Sequence, residues 1–213
     1  MPHPILSQPL IPVVEIDHAA AAAPLGEALL AGGIGIAEVT LRTAAGLDAI
    51  ARLRRDLPEL AVGAGTVLTA EQADRAVDPG AAFGMAPGLD AAVVETFQRH
   101  ELPFVPGVLT PTEITAAWNL GCRVLKFFPA VAAGGIPYLR AIAAPFSGCD
   151  LQFCATGGIS VTNMRDWLGA RLVCAVGGTW LAERDLIAAR KWAAITAAAR
   201  LARRALPGAA ADG

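Results

Sequence analysis

Short apolar runs alternate with longer, alanine-rich stretches along the chain, and glycine or proline stands at most of the joints. The apolar runs, rich in Val, Ile, Leu and Phe, read as strands over 11–16, 35–42, 61–67, 81–87, 103–108, 123–129, 151–157 and 172–177. The stretches between them read as helices over 19–31, 46–57, 70–77, 90–99, 111–120, 136–143 and 161–169, with a final helix over 185–204. The strand runs are nearly continuous in apolar character, as expected of strands buried on both faces of a parallel sheet. Eight such β/α units predict an α/β fold, a single-domain (β/α)8 TIM barrel over about 11–205, shorter than the ~250 residues typical of that fold. An open, doubly wound sheet is the alternative. Residues 206–213 read as a flexible tail.

Composition narrows the function classes. Of 213 residues, 54% are hydrophobic and 17% charged, with 17 basic against 19 acidic side chains. A net charge of -2 supplies no basic stripe for a phosphate backbone, which argues against nucleic acid as a partner. No uncharged run reaches the ~18 residues of a spanning helix, which argues against a membrane role. The start, Met-Pro-His-Pro, lacks the basic and apolar regions of an export signal. Cys122, Cys149, Cys154 and Cys174 form no CxxC pair, and His3, His18 and His100 lie far from one another and from any cysteine. The expectation is a reduced, cytoplasmic protein without a metal site.

The basic residues are unevenly divided. Only Lys126 and Lys191 are lysines, so the other 15 of the 17 are arginines. Lys191 falls in what reads as an exposed helix, whereas Lys126 stands inside Val124-Leu125-Lys126-Phe127-Phe128-Pro129. An ammonium group in such surroundings must reach solvent, find a carboxylate or lose its proton, because desolvating it alone costs several kcal/mol. A neutral amine is the form that attacks a ketone to build a Schiff base. A lysine head reaching solvent at the strand end is the bland alternative.

In a barrel of this kind the active site gathers at the C-terminal strand ends. On the second strand a period of two puts Glu38, Thr40 and Arg42 on one face. That face carries either a structural ion pair or an acid/base carboxylate beside an anion-binding guanidinium. Gly157-Gly158 and Gly178-Thr179 follow the seventh and eighth strands, where barrels often bind phosphate through backbone N–H groups. Thr66 and Pro87 end the third and fourth strands. An imine-forming lysine, a proton-moving glutamate, a carboxylate-holding arginine and a phosphate turn together describe a class I aldolase acting on a 2-keto acid phosphate. A phosphate-binding isomerase with Glu38 as base, and a catalytically silent binder of the same ligand, are the competing readings.

Five motifs in register sharpen this: Glu38-Val39-Thr40-Leu41-Arg42-Thr43, Gly63-Ala64-Gly65-Thr66-Val67, Lys126-Phe127-Phe128-Pro129-Ala130, Thr156-Gly157-Gly158-Ile159 and Gly177-Gly178-Thr179-Trp180. Together they resemble the 2-keto-3-deoxy-6-phosphogluconate (KDPG) aldolase family, also called 4-hydroxy-2-oxoglutarate (KHG) aldolases. The resemblance implies a homotrimeric barrel that splits KDPG into pyruvate and glyceraldehyde 3-phosphate with no metal or other cofactor. It implies Lys126 as the Schiff-base lysine and Glu38 as the general acid/base. It places Arg42, Thr66 and Pro87 at the pyruvate site, Thr156 on the substrate chain, and Gly157, Gly158, Gly178 and Thr179 at the phosphate. The galactonate-series substrate and 4-hydroxy-2-oxoglutarate stay open beside KDPG. The chain departs from the common family pattern in having Ala86 for Ser, Ala155 for Pro and Thr179 for Ser, the last keeping its hydroxyl.

Overall fold

The computed structural model describes residues 4–206. Its strands are β1 (Leu10–Val14), β2 (Ile36–Thr40), β3 (Ala61–Gly65), β4 (Phe83–Met85), β5 (Phe104–Val105), β6 (Gly107–Val108), β7 (Val124–Phe127), β8 (Gln152–Thr156) and β9 (Val173–Gly178). All pair in parallel, in the order β5-β4-β3-β2-β1-β9-β8-β7-β6. Every residue of β1 and β2 is buried, because helices cover the outside and side chains fill the inside. First and last strands pair, with Leu10 opposite Val176 and Pro12 opposite Gly178. That pairing rules out the open-sheet alternative and makes a barrel.

The fifth expected strand is split in two. Pro106 has no N–H to give to a ladder, so the run breaks there into β5 and β6. The segment still bonds on both edges. Ala86 N donates to Val105 O at 3.2 Å on one side, and Lys126 N donates to Pro106 O at 2.8 Å on the other. The nine strand segments therefore build eight staves around one axis.

The helices are α1 (Ala22–Ala31), α2 (Gly46–Asp56), α3 (Ala70–Val77), α4 (Ala91–Arg99), α5 (Pro111–Asn119), α6 (Gly135–Ala143), α7 (Met164–Leu168), α8 (Arg184–Ala188) and α9 (Trp192–Arg204). Their starts follow ordinary capping chemistry. Thr69 and Asp90 cap α3 and α4, and Thr110 with Glu113 forms a capping box in front of α5, with Pro111 opening the helix. Two expectations need correction. The seventh helix starts at Met164 rather than 161, because Ser160, Thr162 and Asn163 satisfy one another and the backbone in a turn: Ser160 N donates to Asn163 Oδ1 at 2.9 Å and Asn163 Nδ2 to Gly158 O at 3.0 Å.

The last helix is not continuous over 185–204. Arg190 adopts the left-handed conformation at φ 53°. Arg190 N bonds Ile187 O at 3.0 Å and Lys191 N bonds Leu186 O at 2.8 Å, the paired bonds of a Schellman ending. Glycine usually takes that position, so an arginine there leaves no visible stop in the sequence. Lys191 consequently caps α9, exposed as expected. Among the described residues, no helix is long and apolar enough to cross a membrane. Residues 207–213, most of the expected tail, and His3 lie outside the described residues.

Candidate active site

A cavity of about 340 Å³ opens at the C-terminal ends of the strands. Each of the ten residues singled out in the sequence lines it: Glu38 and Lys126 at its floor, Arg42, Thr66 and Pro87 along one wall, and Thr156, Gly157, Gly158, Gly178 and Thr179 along another. Val13, Phe128 and Ile159, for which the sequence predicts no role, complete the lining. Val13 is the register partner of Glu38 on the neighbouring strand, a pairing that the apolar run around it does not reveal. Phe128 stands two residues beyond Lys126 in the same apolar run, where its chemistry gives no sign of a role.

Lys126 finds a carboxylate. It is carried on β7 between Gly107 of β6 and Cys154 of β8, and its Nζ donates to Glu38 Oε1 at 3.0 Å and approaches Oε2 at 3.3 Å. Their side chains are 6% and 0% exposed. The two residues come from opposite sides of the ring, β7 and β2, and meet across the barrel interior. Nζ also lies 5.8 Å from the centre of the Phe128 ring, within cation–π range. The solvent-reaching alternative for Lys126 is thereby excluded.

Room for the Glu38 carboxylate comes from a missing side chain. A Cβ built on Gly65 would stand 2.4 Å from Glu38 Oε1, so only glycine at the end of β3 leaves the carboxylate its place. The next residue, Thr66, holds a left-handed φ of 58°, a conformation uncommon for a threonine and one that clusters at functional sites. On the opposite wall Gly157 and Gly158 turn the chain at φ 99° and 77°. That turn is fastened to the loop after β7, with Ala130 N donating to Thr156 O at 2.8 Å and Val131 N to Gly157 O at 3.0 Å.

Glu38 and Arg42 do not pair with each other. β2 ends at Thr40, and Arg42 lies just beyond it, its side chain 47% exposed and its Nη2 3.1 Å from Glu15 Oε2. Glu15, directly after β1, also meets Arg184 Nη1 through Oε1, and Arg184 is bidentate on Asp17 at 2.6 and 3.0 Å. The Arg184 guanidinium lowers the pKa of the Asp17 carboxyl through these hydrogen bonds. Thr40 shares the strand face of Glu38 and is 1% exposed. Its hydroxyl and the indole Nε1 of Trp180 are the buried side-chain polar atoms without a hydrogen-bond partner among the described residues. Beside the pair, burial pushes the Cys154 thiol up to about 12, so it stays protonated at neutral pH and adds no charge to the site.

The profile of the family described as KDPG and KHG aldolase matches residues 4–198. The chain belongs to the KDPG and KHG aldolase family. Within that family it is 41% identical over 201 residues to the KHG/KDPG aldolase of Escherichia coli K12, covering 94% of this chain and 92% of that one. The KDPG aldolase of Legionella pneumophila, solved with pyruvate captured at low pH as a covalent carbinolamine intermediate, superposes with a TM-score of 0.88 at 39% identity, over 92% of this chain and 94% of that one. The Zymomonas mobilis ZM4 2-keto-3-deoxy-6-phosphogluconate aldolase, solved with 3-phosphoglycerate, superposes at a TM-score of 0.86 and 36% identity, over 97% and 96% of the two chains.

Proposed function

We propose that this chain is a metal-independent class I aldolase that cleaves 2-keto-3-deoxy-6-phosphogluconate to pyruvate and glyceraldehyde 3-phosphate. The observation that carries the reading is Lys126 Nζ held 3.0 Å from Glu38 Oε1 at the floor of the strand-end cavity. Glu38 takes a proton from the ammonium, and the neutral amine attacks the C2 carbonyl to give a carbinolamine. Glu38 returns that proton to the departing hydroxyl, water leaves, and an iminium remains on Lys126. Glu38, again a carboxylate, takes the proton of the C4 hydroxyl, the C3–C4 bond breaks, and its electron pair moves into the iminium. The aldehyde departs and an enamine of pyruvate is left, to which Glu38 returns the proton at C3, and water hydrolyses the resulting iminium to release pyruvate and the free lysine.

Arg42 and Thr66 would hold the 2-keto acid carboxylate, a planar anion that suits a guanidinium, with Pro87 packing beside it. Gly157, Gly158, Gly178 and Thr179 would hold the phosphate at the other end, through turns open enough for backbone approach and one hydroxyl. Thr156, at the end of β8 between the two, would contact the substrate chain. The carbinolamine in the Legionella relative supports the covalent route, and the 3-phosphoglycerate in the Zymomonas relative supports a phosphate subsite. A single catalytic domain, a homotrimeric assembly and a cytoplasmic location complete the proposal by family likeness. Borohydride added with pyruvate should leave a stable adduct on Lys126, found by peptide mass spectrometry, and Lys126→Ala should lose both adduct and cleavage. Cleavage persisting in that variant would refute the reading.

A further inference from the structure

We infer that Glu15 is a positioning residue for Arg42, with Arg184 as the counter-charge that lets it act. The inference rests on the reading of Arg42 as the carboxylate-holding side chain. Four charged groups from three distant stretches of chain meet at the rim in sequence: Asp17, Arg184, Glu15, Arg42. Exposed ion pairs contribute little to stability, so a network of this kind is poorly explained as a fold stabiliser. Its geometry fits another purpose. Arg42 is nearly half exposed at 47%, while the carboxylate that touches it is only 15% exposed. An arginine that waits for a ligand in solvent must give up its rotamer freedom on binding, and an anchor that fixes it beforehand removes that loss from the binding step.

The donor arithmetic leaves room for substrate. Glu15 Oε2 faces Nη2 of Arg42. A guanidinium has five donors in a rigid fork whose two bidentate edges are Nε/Nη2 and Nη1/Nη2, so with Glu15 on one side of Nη2 the other edge remains free to grip a second carboxylate. A bare Glu15 would also repel that incoming anion. Its other oxygen, Oε1, is paired with Arg184, which offsets the charge, and Arg184 is in turn held by Asp17 at 2.6 Å. The break of the C-terminal helix at Arg190 leaves α8 as a separate short helix that opens at Arg184. Glu15 therefore orients, and Arg184 neutralises.

Steady-state cleavage of 2-keto-3-deoxy-6-phosphogluconate by the full chain tests this, with pyruvate methyl-proton exchange as a second readout for the carboxylate end alone. Glu15→Gln should raise KM, and the half-saturating pyruvate concentration, by about five- to tenfold with kcat within about twofold, since an arginine left mobile weakens ground and transition states alike. Arg184→Ala should raise KM as well, through the exposed charge of Glu15, and that rise should shrink at high salt. The double variant Glu15→Gln/Arg184→Ala should lose the salt sensitivity. Unchanged or lowered KM in Glu15→Gln would overturn the inference, as would a loss confined to kcat or a parallel loss of thermal stability. Arg42→Ala separates the two readings. If it raises KM but Glu15→Gln does not, only the positioning role fails; if Arg42→Ala leaves KM untouched, the carboxylate site itself fails.

Discussion

The Lys126–Glu38 pair and the Asp17–Arg184–Glu15–Arg42 chain stand at the same end of the barrel, yet one is buried and the other open. In the first, the two side chains are 6% and 0% exposed. In the second, Arg42 and Arg184 are 47% and 54% exposed. A buried pair is bound to its partner, because removing one charge strands the other largely out of water. An open pair can exchange its partner for solvent or for a ligand at little cost. The comparison assigns chemistry to the first and recognition to the second: on the proposed reading a proton shared by Lys126 and Glu38 passes on only to a substrate in the cavity, while a guanidinium at the rim stays able to accept a newcomer.

The contrast breaks most visibly at Lys126. Lys126→Met should destabilise the fold by about 3–5 kcal/mol, the usual cost of leaving one member of a buried pair alone. Lys126→Met/Glu38→Leu should recover most of that loss while staying inactive. Urea unfolding decides, and a single variant that loses less than about 1 kcal/mol would place this pair with exposed ones. Gly65→Ala comes next. The added methyl would stand 2.4 Å from Glu38 Oε1 and push the carboxylate off Lys126, so kcat should fall on the order of 100-fold. Full activity in that variant would show that the carboxylate does not need its observed position. The smallest effect belongs to Thr40→Val. Removing a buried hydroxyl that has no partner should raise stability by up to about 1 kcal/mol in the same unfolding experiment. A loss instead would mean that the hydroxyl is hydrogen-bonded in solution.

The barrel was legible because a buried parallel strand and an amphipathic helix leave different periods, and these alternated with few exceptions. The unexpected breaks share one cause. Pro106 and Arg190 interrupt elements through backbone bonding, and the second does so with a residue type that seldom marks a stop. The floor of the site was legible from contrast, a lone lysine among Val, Leu and Phe. The lining residues Val13, Phe128 and Ile159 lacked that contrast, since an apolar side chain facing a cavity reads like one facing a core. Glu15 was visible in principle, two residues beyond Val13 on the same alternating face. Its partner Arg184 lies 169 positions away, a separation that no local period can bridge.

Glu38 and Lys126 sit on strands that do not touch, and each belongs to a different arc of the ring. The two arcs join where β1 meets β9, and again at the stave divided by Pro106. On a growing polypeptide the first junction must wait for residues 176–178, long after Glu38 and Lys126 have both emerged. A chain released or halted before that point holds both side chains but not the 3.0 Å distance between them, so the proposed amine and its proton partner are brought together only when the ring is whole.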